Sequence, residues 1–550
     1  MYAISNGIVD KSRGYMNTIG SRGRPNPDVM AQRLTQLIQQ GKAASVLPRV
    51  DELGRVYGDH PGVLHAVSEV ALIAKNYPDA ITFAERALAL DSDNFRHQLQ
   101  LAMCLVATND RHRAEEVLNS VEQVVGDSAE LASILASLYV RIDSNERAVE
   151  FYKRAIELDP GNAKHHFSLA ATYRFMGRLA EAEQACDDAL ALDPSEYEVY
   201  LIRADLRKQT SERNHIGRME SVLADGIDHY MGEVMLCHAI AKECEDVGLY
   251  KKSFQHLRRG AALRRKHLSY EVEKDLQIMD RLVQVFSPEA VRQASPGGCS
   301  SIEPIFIIGM PRTGTTLVER IIGCHSKVKP AGELPNFPQV MTQMIREQNV
   351  DQAISQAELI PASLKLSMQQ LGESYVESTR GITDGAPRFI DKLPFNYLNV
   401  GLIRMALPNA KIIHVTRNPM DTCYAVFKTL FQRAYPFSYD LEDLGKYFVA
   451  YQRLMDHWYR LFPESMCTIS YETLVEDSEN ESRRLIEYCG LDWEHQLSRF
   501  YESEAPSTTA SASQVRQPVY RSSVEKWRNY ERELQPLAET LQTANAEIRR

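Results

Sequence analysis

The sequence predicts an α-solenoid followed by an α/β domain with a parallel sheet and a P-loop-like anion cradle. Three observations predict it: one phrase recurs at a fixed interval in the first half, short β-branched runs alternate with helical stretches in the second, and a glycine loop directly follows the first of those runs. The chain of 550 residues has room for several domains. Its 44% apolar and 25% charged residues are the balance of a globular protein, which excludes a collagenous, mucin-like or wholly disordered chain. Asp plus Glu number 73 against 63 Lys plus Arg, a net charge of −10, so no nucleic-acid partner is expected. Nine cysteines without a C-x-x-C pair argue against a disulfide framework or zinc site and for a reducing, cytoplasmic setting. No window approaches the ~20 apolar residues of a membrane span, and residues 1–26, charged and without an apolar stretch, read as a disordered arm.

The first half is a repeat array. ALALDSDN (87–94), AIELDPGN (155–162) and ALALDPSE (189–196) are variants of one phrase. Their Leu-Asp pairs at 158/159 and 192/193 are 34 residues apart, and the pair at 90/91 lies two such periods before the first of these. Small residues recur where paired helices must approach: Ala136 and Ala170 in the first helix, Ala80, Ala148 and Ala182 in the second. Tyr139 and Tyr173 follow in the first helix, and Pro160 and Pro194 stand where the second must end. Over about residues 27–196 this resembles the tetratricopeptide family, whose helix pairs stack because none covers its own apolar face. Beyond Glu196 the phase is lost but helical periodicity continues, and 238–265 reads as a terminal helix pair. Its second helix is basic, with Lys251, Lys252, Arg258, Arg259, Arg264, Arg265 and Lys266. That face is expected to be solvated, or else to meet an acidic ligand or another domain. The helical domain is placed at 27–290.

Residues 291–302, rich in Pro, Gly and Ser, read as a linker, and 303–550 as the second domain. Buried parallel strands are expected at 304–310, 410–416 and 467–471. After the first comes Gly309-Met310-Pro311-Arg312-Thr313-Gly314-Thr315-Thr316, then an apolar-periodic helix start. Glycines let the backbone approach an anion, and the helix N-terminus favours negative charge. Thr315 stands where a nucleoside triphosphatase loop has lysine, which disfavours a kinase or nucleotidase. Arg312 supplies a planar cation for phosphate or sulfate. His414 and Cys423 have no third orienting group and are assigned to structure. No cluster has metal-ligand spacing, and no metal is expected.

The loop Pro311-Arg312-Thr313-Gly314-Thr315-Thr316-Leu317 resembles that of the sulfotransferase family, which uses 3′-phosphoadenosine 5′-phosphosulfate (PAPS). Motif order over about 303–530 is similar to that of tyrosylprotein sulfotransferases. The resemblance implies that Arg312, Thr313, Gly314, Thr315, Thr316 and Leu317 hold the 5′-phosphosulfate and Arg417 the 3′-phosphate. Arg417 ends an apolar strand, and the alternative for it is a salt bridge to a carboxylate such as Asp421. The serine that the family commonly carries eight residues after that arginine is Ala425 here, so one 3′-phosphate contact is either missing or taken over by Thr422. The resemblance further implies Glu333 as catalytic base, Lys392 as the catalytic lysine on the bridging oxygen, Tyr471 as a nucleotide contact, Ser511 at the transition state and Lys526 on a phosphate. Leu334 and Leu393 depart from the family's G-E-E and K-D-P. The expected activity is sulfuryl transfer to a hydroxyl, with a protein or peptide tyrosine recruited by the repeat groove as acceptor. The alternatives are a saccharide or small phenol, or a nucleotide-binding repeat scaffold without chemistry.

Overall fold

The computed structural model describes residues 26–108, 110–123, 126–294, 297–348, 356–431, 434–502, 521 and 523–548. The chain divides into two compact units, Met1–Gly161 and Asn162–Arg550. Among its described residues the first is helical: Pro27–Gln39 and Val50–Val56 lead into the pairs Pro61–Ile73 and Tyr77–Leu90, Phe95–Ala107 and Arg111–Glu122, and Ala129–Arg141 and Asn145–Leu158. The repeated Leu-Asp phrase closes the second helix of a pair, with Leu90 and Leu158 as last residues and Asp91 and Asp159 as C-caps. The small residues do what their spacing predicts. Ala80, Ala136 and Ala148 are fully buried, where a larger side chain would force the helices apart.

The second unit opens with another pair, Ala163–Met176 and Leu179–Leu192, separated by Gly177 in the left-handed region (φ 78°). Helices Tyr230–Asp246, Tyr250–Lys266 and Val272–Val285 follow, and then the sheet. Its strands are β1 (Pro304–Ile308), β2 (Val328–Pro330), β3 (Arg388–Asp391), β4 (Lys411–Thr416) and β5 (Cys467–Ser470). All pairings are parallel and the order is β2-β3-β1-β4-β5. Strand β1 is buried along its whole length because both faces are covered. Phe306 and Ile308 join one apolar core, and Ile305 and Ile307 the other. The first of these cores also takes Phe254, Leu257, Val272, Met279, Leu282 and Phe286, so the helices before residue 290 and the sheet share one packed interior. Phe286 meets the edge of Trp458 at 5.3 Å between centroids, and His457 Nε2 lies 2.9 Å from the Phe286 carbonyl. No helix among the described residues is long and apolar enough to cross a membrane.

Candidate functional site

Every strand of the sheet delivers a predicted residue at its carboxyl end, where open parallel sheets bind ligands. The loop 309–316 follows β1, Glu333 follows β2, Lys392 follows β3, Arg417 follows β4 and Tyr471 follows β5. The loop is a tight cradle. A Cβ on Gly309 would lie 2.5 Å from the Val415 carbonyl oxygen, and one on Gly314 would lie 2.7 Å from Cδ2 of Tyr471. Gly314 also has φ 104° and caps the helix Thr315–Gly323. Arg312 holds φ 66°, a costly conformation for a side-chain-bearing residue that persists where its surroundings enforce it. Thr313 donates its hydroxyl to the Met310 carbonyl at 2.8 Å and is buried, as is Thr315, while Thr316 and Leu317 are partly exposed.

Arg417 does not pair with Asp421, contrary to the salt-bridge alternative. Its Nη1 donates to the Arg312 carbonyl at 3.1 Å, its Nη2 to the Ser523 carbonyl, and its guanidinium stacks on Tyr471 at 4.8 Å. Asp421 is occupied by the N–H groups of Glu525 (2.6 Å) and Trp527 (3.1 Å). Among the described residues the Nε of Arg417 is buried without a hydrogen-bond partner. Ala425 is buried, and the Thr422 hydroxyl is spent on the Arg417 carbonyl at 3.3 Å.

The second cluster joins Glu333 and Lys392. Lys392, 1% exposed, donates from Nζ to Glu333 Oε1 at 2.6 Å, and Glu319 Oε2 lies 3.8 Å from the same Nζ. Asp391, fully buried, ties the two loops together by accepting from the N–H groups of Leu334 and Leu393 and from the Tyr375 hydroxyl. Burial pushes its carboxyl up to about 7 despite those donors. Phe395, Tyr435 and Phe431 form an aromatic chain, with centroids 4.8 and 4.6 Å apart, whose middle ring feels the Glu333 charge. Burial and then the Glu333 charge raise the Tyr435 phenol.

Lys526 enters a third cluster that no local sequence signal marked. Glu245, from the helix Tyr230–Asp246, is 8% exposed and accepts from Lys526 Nζ at 2.5 Å, Lys428 Nζ at 2.9 Å, Tyr530 at 3.1 Å and Tyr424. Burial lowers Lys428 to about 8, against the pull of Glu245. The basic helix is largely spent on internal pairs: Lys252 meets Glu220 and Arg259 meets Glu233 at 2.8 Å each, Arg264 donates to the Tyr230 hydroxyl and Arg265 meets Asp443 at 2.9 Å. His414 sits between the Tyr459 and Tyr451 hydroxyls, and burial lowers it to about 4, which leaves it neutral. Cys423 is buried with a raised thiol. Ser511 lies outside the described residues.

The parallel α/β sheet thus carries a glycine loop and an acid-lysine pair at its carboxyl edge. Residues 304–495 match the sulfotransferase family, and residues 71–138, 129–162 and 151–184 match tetratricopeptide repeats. The chain therefore combines tetratricopeptide repeats with a sulfotransferase-family domain. A protein of unassigned function from Aquifex aeolicus is 28% identical over 539 residues, covering 94% of this chain and 70% of that protein. Protein-tyrosine sulfotransferase A of Caenorhabditis elegans is 23% identical over 256 residues, 45% of this chain and 65% of that protein. Among solved structures, a thermophilic tetratricopeptide protein of Thermus thermophilus is 19% identical, with a TM-score of 0.28, over 33% of this chain and 98% of that one.

Proposed function

We propose that the protein transfers a sulfuryl group from PAPS to a tyrosine hydroxyl of a protein or peptide. One observation carries the reading: the five parallel strands converge the loop, Glu333, Lys392, Arg417 and Tyr471 on one edge of the sheet. The residues fit an anionic nucleotide, since the two loop glycines leave no Cβ in the cradle and the Arg417 Nε has no hydrogen-bond partner among the described residues. In this reading the loop from Arg312 to Leu317 holds the 5′-phosphosulfate, Arg417 and Lys526 the phosphates, and Tyr471 the nucleotide. Glu333 takes the acceptor proton as the new oxygen–sulfur bond forms, and Lys392 neutralises the bridging oxygen as its bond to sulfur breaks. Ser511 is assigned to the transition state by resemblance alone.

A tyrosine acceptor is supported by the protein-tyrosine sulfotransferase relative over the second half of the chain and by Tyr435, which feels the Glu333 charge and packs with the rings of Phe395 and Phe431. The repeats support a protein partner, which the tetratricopeptide surface would recruit. The test is incubation of the full chain with PAPS and a tyrosine peptide, a saccharide or a small phenol, followed by mass spectrometry. The peptide is expected to gain sulfate, and Glu333→Ala to lose about 10²-fold or more in turnover while binding 3′-phosphoadenosine 5′-phosphate as before. Sulfation of the saccharide alone would move the acceptor class, and no transfer to any of the three would return the chain to a binding scaffold.

A further inference from the structure

The loop helix carries an acid that no motif assigns. Glu319 is one turn after Thr315 on the helix Thr315–Gly323 and so faces the same side as the anion loop. Its side chain is 13% exposed, and its Oε2 is 3.8 Å from Nζ of the buried Lys392. The Gly332 N–H donates to the Glu319 side chain, and the Gly332 carbonyl accepts the Lys392 backbone N–H at 2.8 Å, so one residue, next to Glu333, ties the Glu319 side chain to the Lys392 backbone. The two proposed roles conflict while Glu333 and Lys392 are bound to each other at 2.6 Å. A base must offer its carboxylate to the acceptor proton, and the lysine must turn to the oxygen that gains charge. A buried ammonium deprived of its only counter-charge sheds its proton. Two carboxylates from different elements resolve the conflict, because one stays when the other leaves. We propose that Glu319 is the positioning residue of this centre, holding Lys392 as a charged ammonium while Glu333 turns to the acceptor hydroxyl. The inference rests on the sulfuryl-transfer reading for its consequence, but the pairing itself is independent of it.

The other groups facing the pair do not substitute. Asp391 directs its carboxyl to Tyr375, Leu334 and Leu393, and Tyr435 bears on Glu333. Burial raises Glu319, Lys392 pulls it down and Glu333 raises it further, so its charge and that of Lys392 depend on each other. The test compares wild type, Glu319→Gln and Glu319→Asp in the full chain by two readouts. The first is the side-chain ammonium resonance of Lys392 by NMR without substrate, which is expected to lose intensity to solvent exchange in the Gln variant and to recover partly in the Asp variant. The second is turnover of PAPS with a tyrosine peptide: kcat is expected to fall about tenfold or more in the Gln variant, with KM changed by less than about threefold. An unchanged Lys392 resonance and kcat in folded Glu319→Gln overturns the proposal. If that variant does not fold, Glu319→Asp carries both measurements, and a resonance and kcat equal to wild type overturn it there. A wild type that transfers nothing defeats the functional reading, and the lysine resonance still decides the pairing.

Discussion

Replacing Glu245 by Gln removes one negative charge and keeps the side chain's shape and one acceptor oxygen. The acid lies 2.5 Å from Lys526, 2.9 Å from Lys428 and 3.1 Å from the Tyr530 hydroxyl, and its own side chain is 8% exposed. Removing one member of a buried ion pair costs about 3–5 kcal/mol, since the partner charge is left without compensation. Lys428 and Lys526 are 27% and 32% exposed, so water screens part of that loss and the lower end, about 3 kcal/mol, is expected. With a urea m-value toward the top of about 1–3 kcal/mol/M, the midpoint of the second unit should fall by about 1 M. The pH dependence has a definite sign. Burial alone would raise Glu245, but Lys428, Lys526 and the Tyr424 hydroxyl hold it well below the usual carboxylate range. Its contribution is therefore complete above that range, begins to decline within it and is lost only as pH falls through the much lower folded value, so the gap between wild type and variant should start to narrow in acid. Urea unfolding followed by tryptophan fluorescence at pH 7.5 and pH 4 measures both effects. Equal midpoints at pH 7.5, or a gap that does not narrow at pH 4, would refute the account of this cluster.

Two further outcomes follow from the site. Gly314→Ala places a Cβ 2.7 Å from Tyr471 at a backbone φ of 104°, and should weaken binding of 3′-phosphoadenosine 5′-phosphate about tenfold or more by calorimetry while the helical signal in circular dichroism is kept. Asp391, raised by burial to about 7, binds its proton more tightly folded than unfolded, so between about pH 4 and pH 7 it makes stability fall as pH rises. Asp391→Asn should remove that part of the slope, and an unfolding midpoint with the same pH dependence as wild type would contradict the assignment.

What was legible in the sequence is what a few neighbouring residues encode. The repeats were read because period, small residues and closing Leu-Asp all fall within 34 positions, and the structure puts those alanines at buried helix contacts. The anion loop was read because strand, glycines and helix start are contiguous. Strands β2 and β3 were not read: they have three and four residues, include Lys329, Pro330, Arg388 and Asp391, and owe their form to pairing with one another and, for β3, with β1. Glu333 and Lys392 entered only through family resemblance, since nothing local says that groups 59 positions apart meet at 2.6 Å. Glu319 had a usable signal, its one-turn spacing from Thr315, whereas Glu245 had none because it finds Lys428 183 positions away. The same distance effect redirects the basic helix. Its composition is that of a solvated or ligand-binding face, but Arg265 closes on Asp443, 178 positions on, and its apolar side enters the core beneath the sheet. The composition change at 291–302 therefore separates two kinds of sequence without dividing that core. A catalytic half cut at that point would expose Phe427, Trp458 and Tyr530 where Phe254 and Phe286 now cover them, and would lose Glu245 from Lys526. The helices before the linker are thus part of the wall that holds the proposed donor-binding lysine, and this packed unit cannot be reduced to residues 304–495, which match the family.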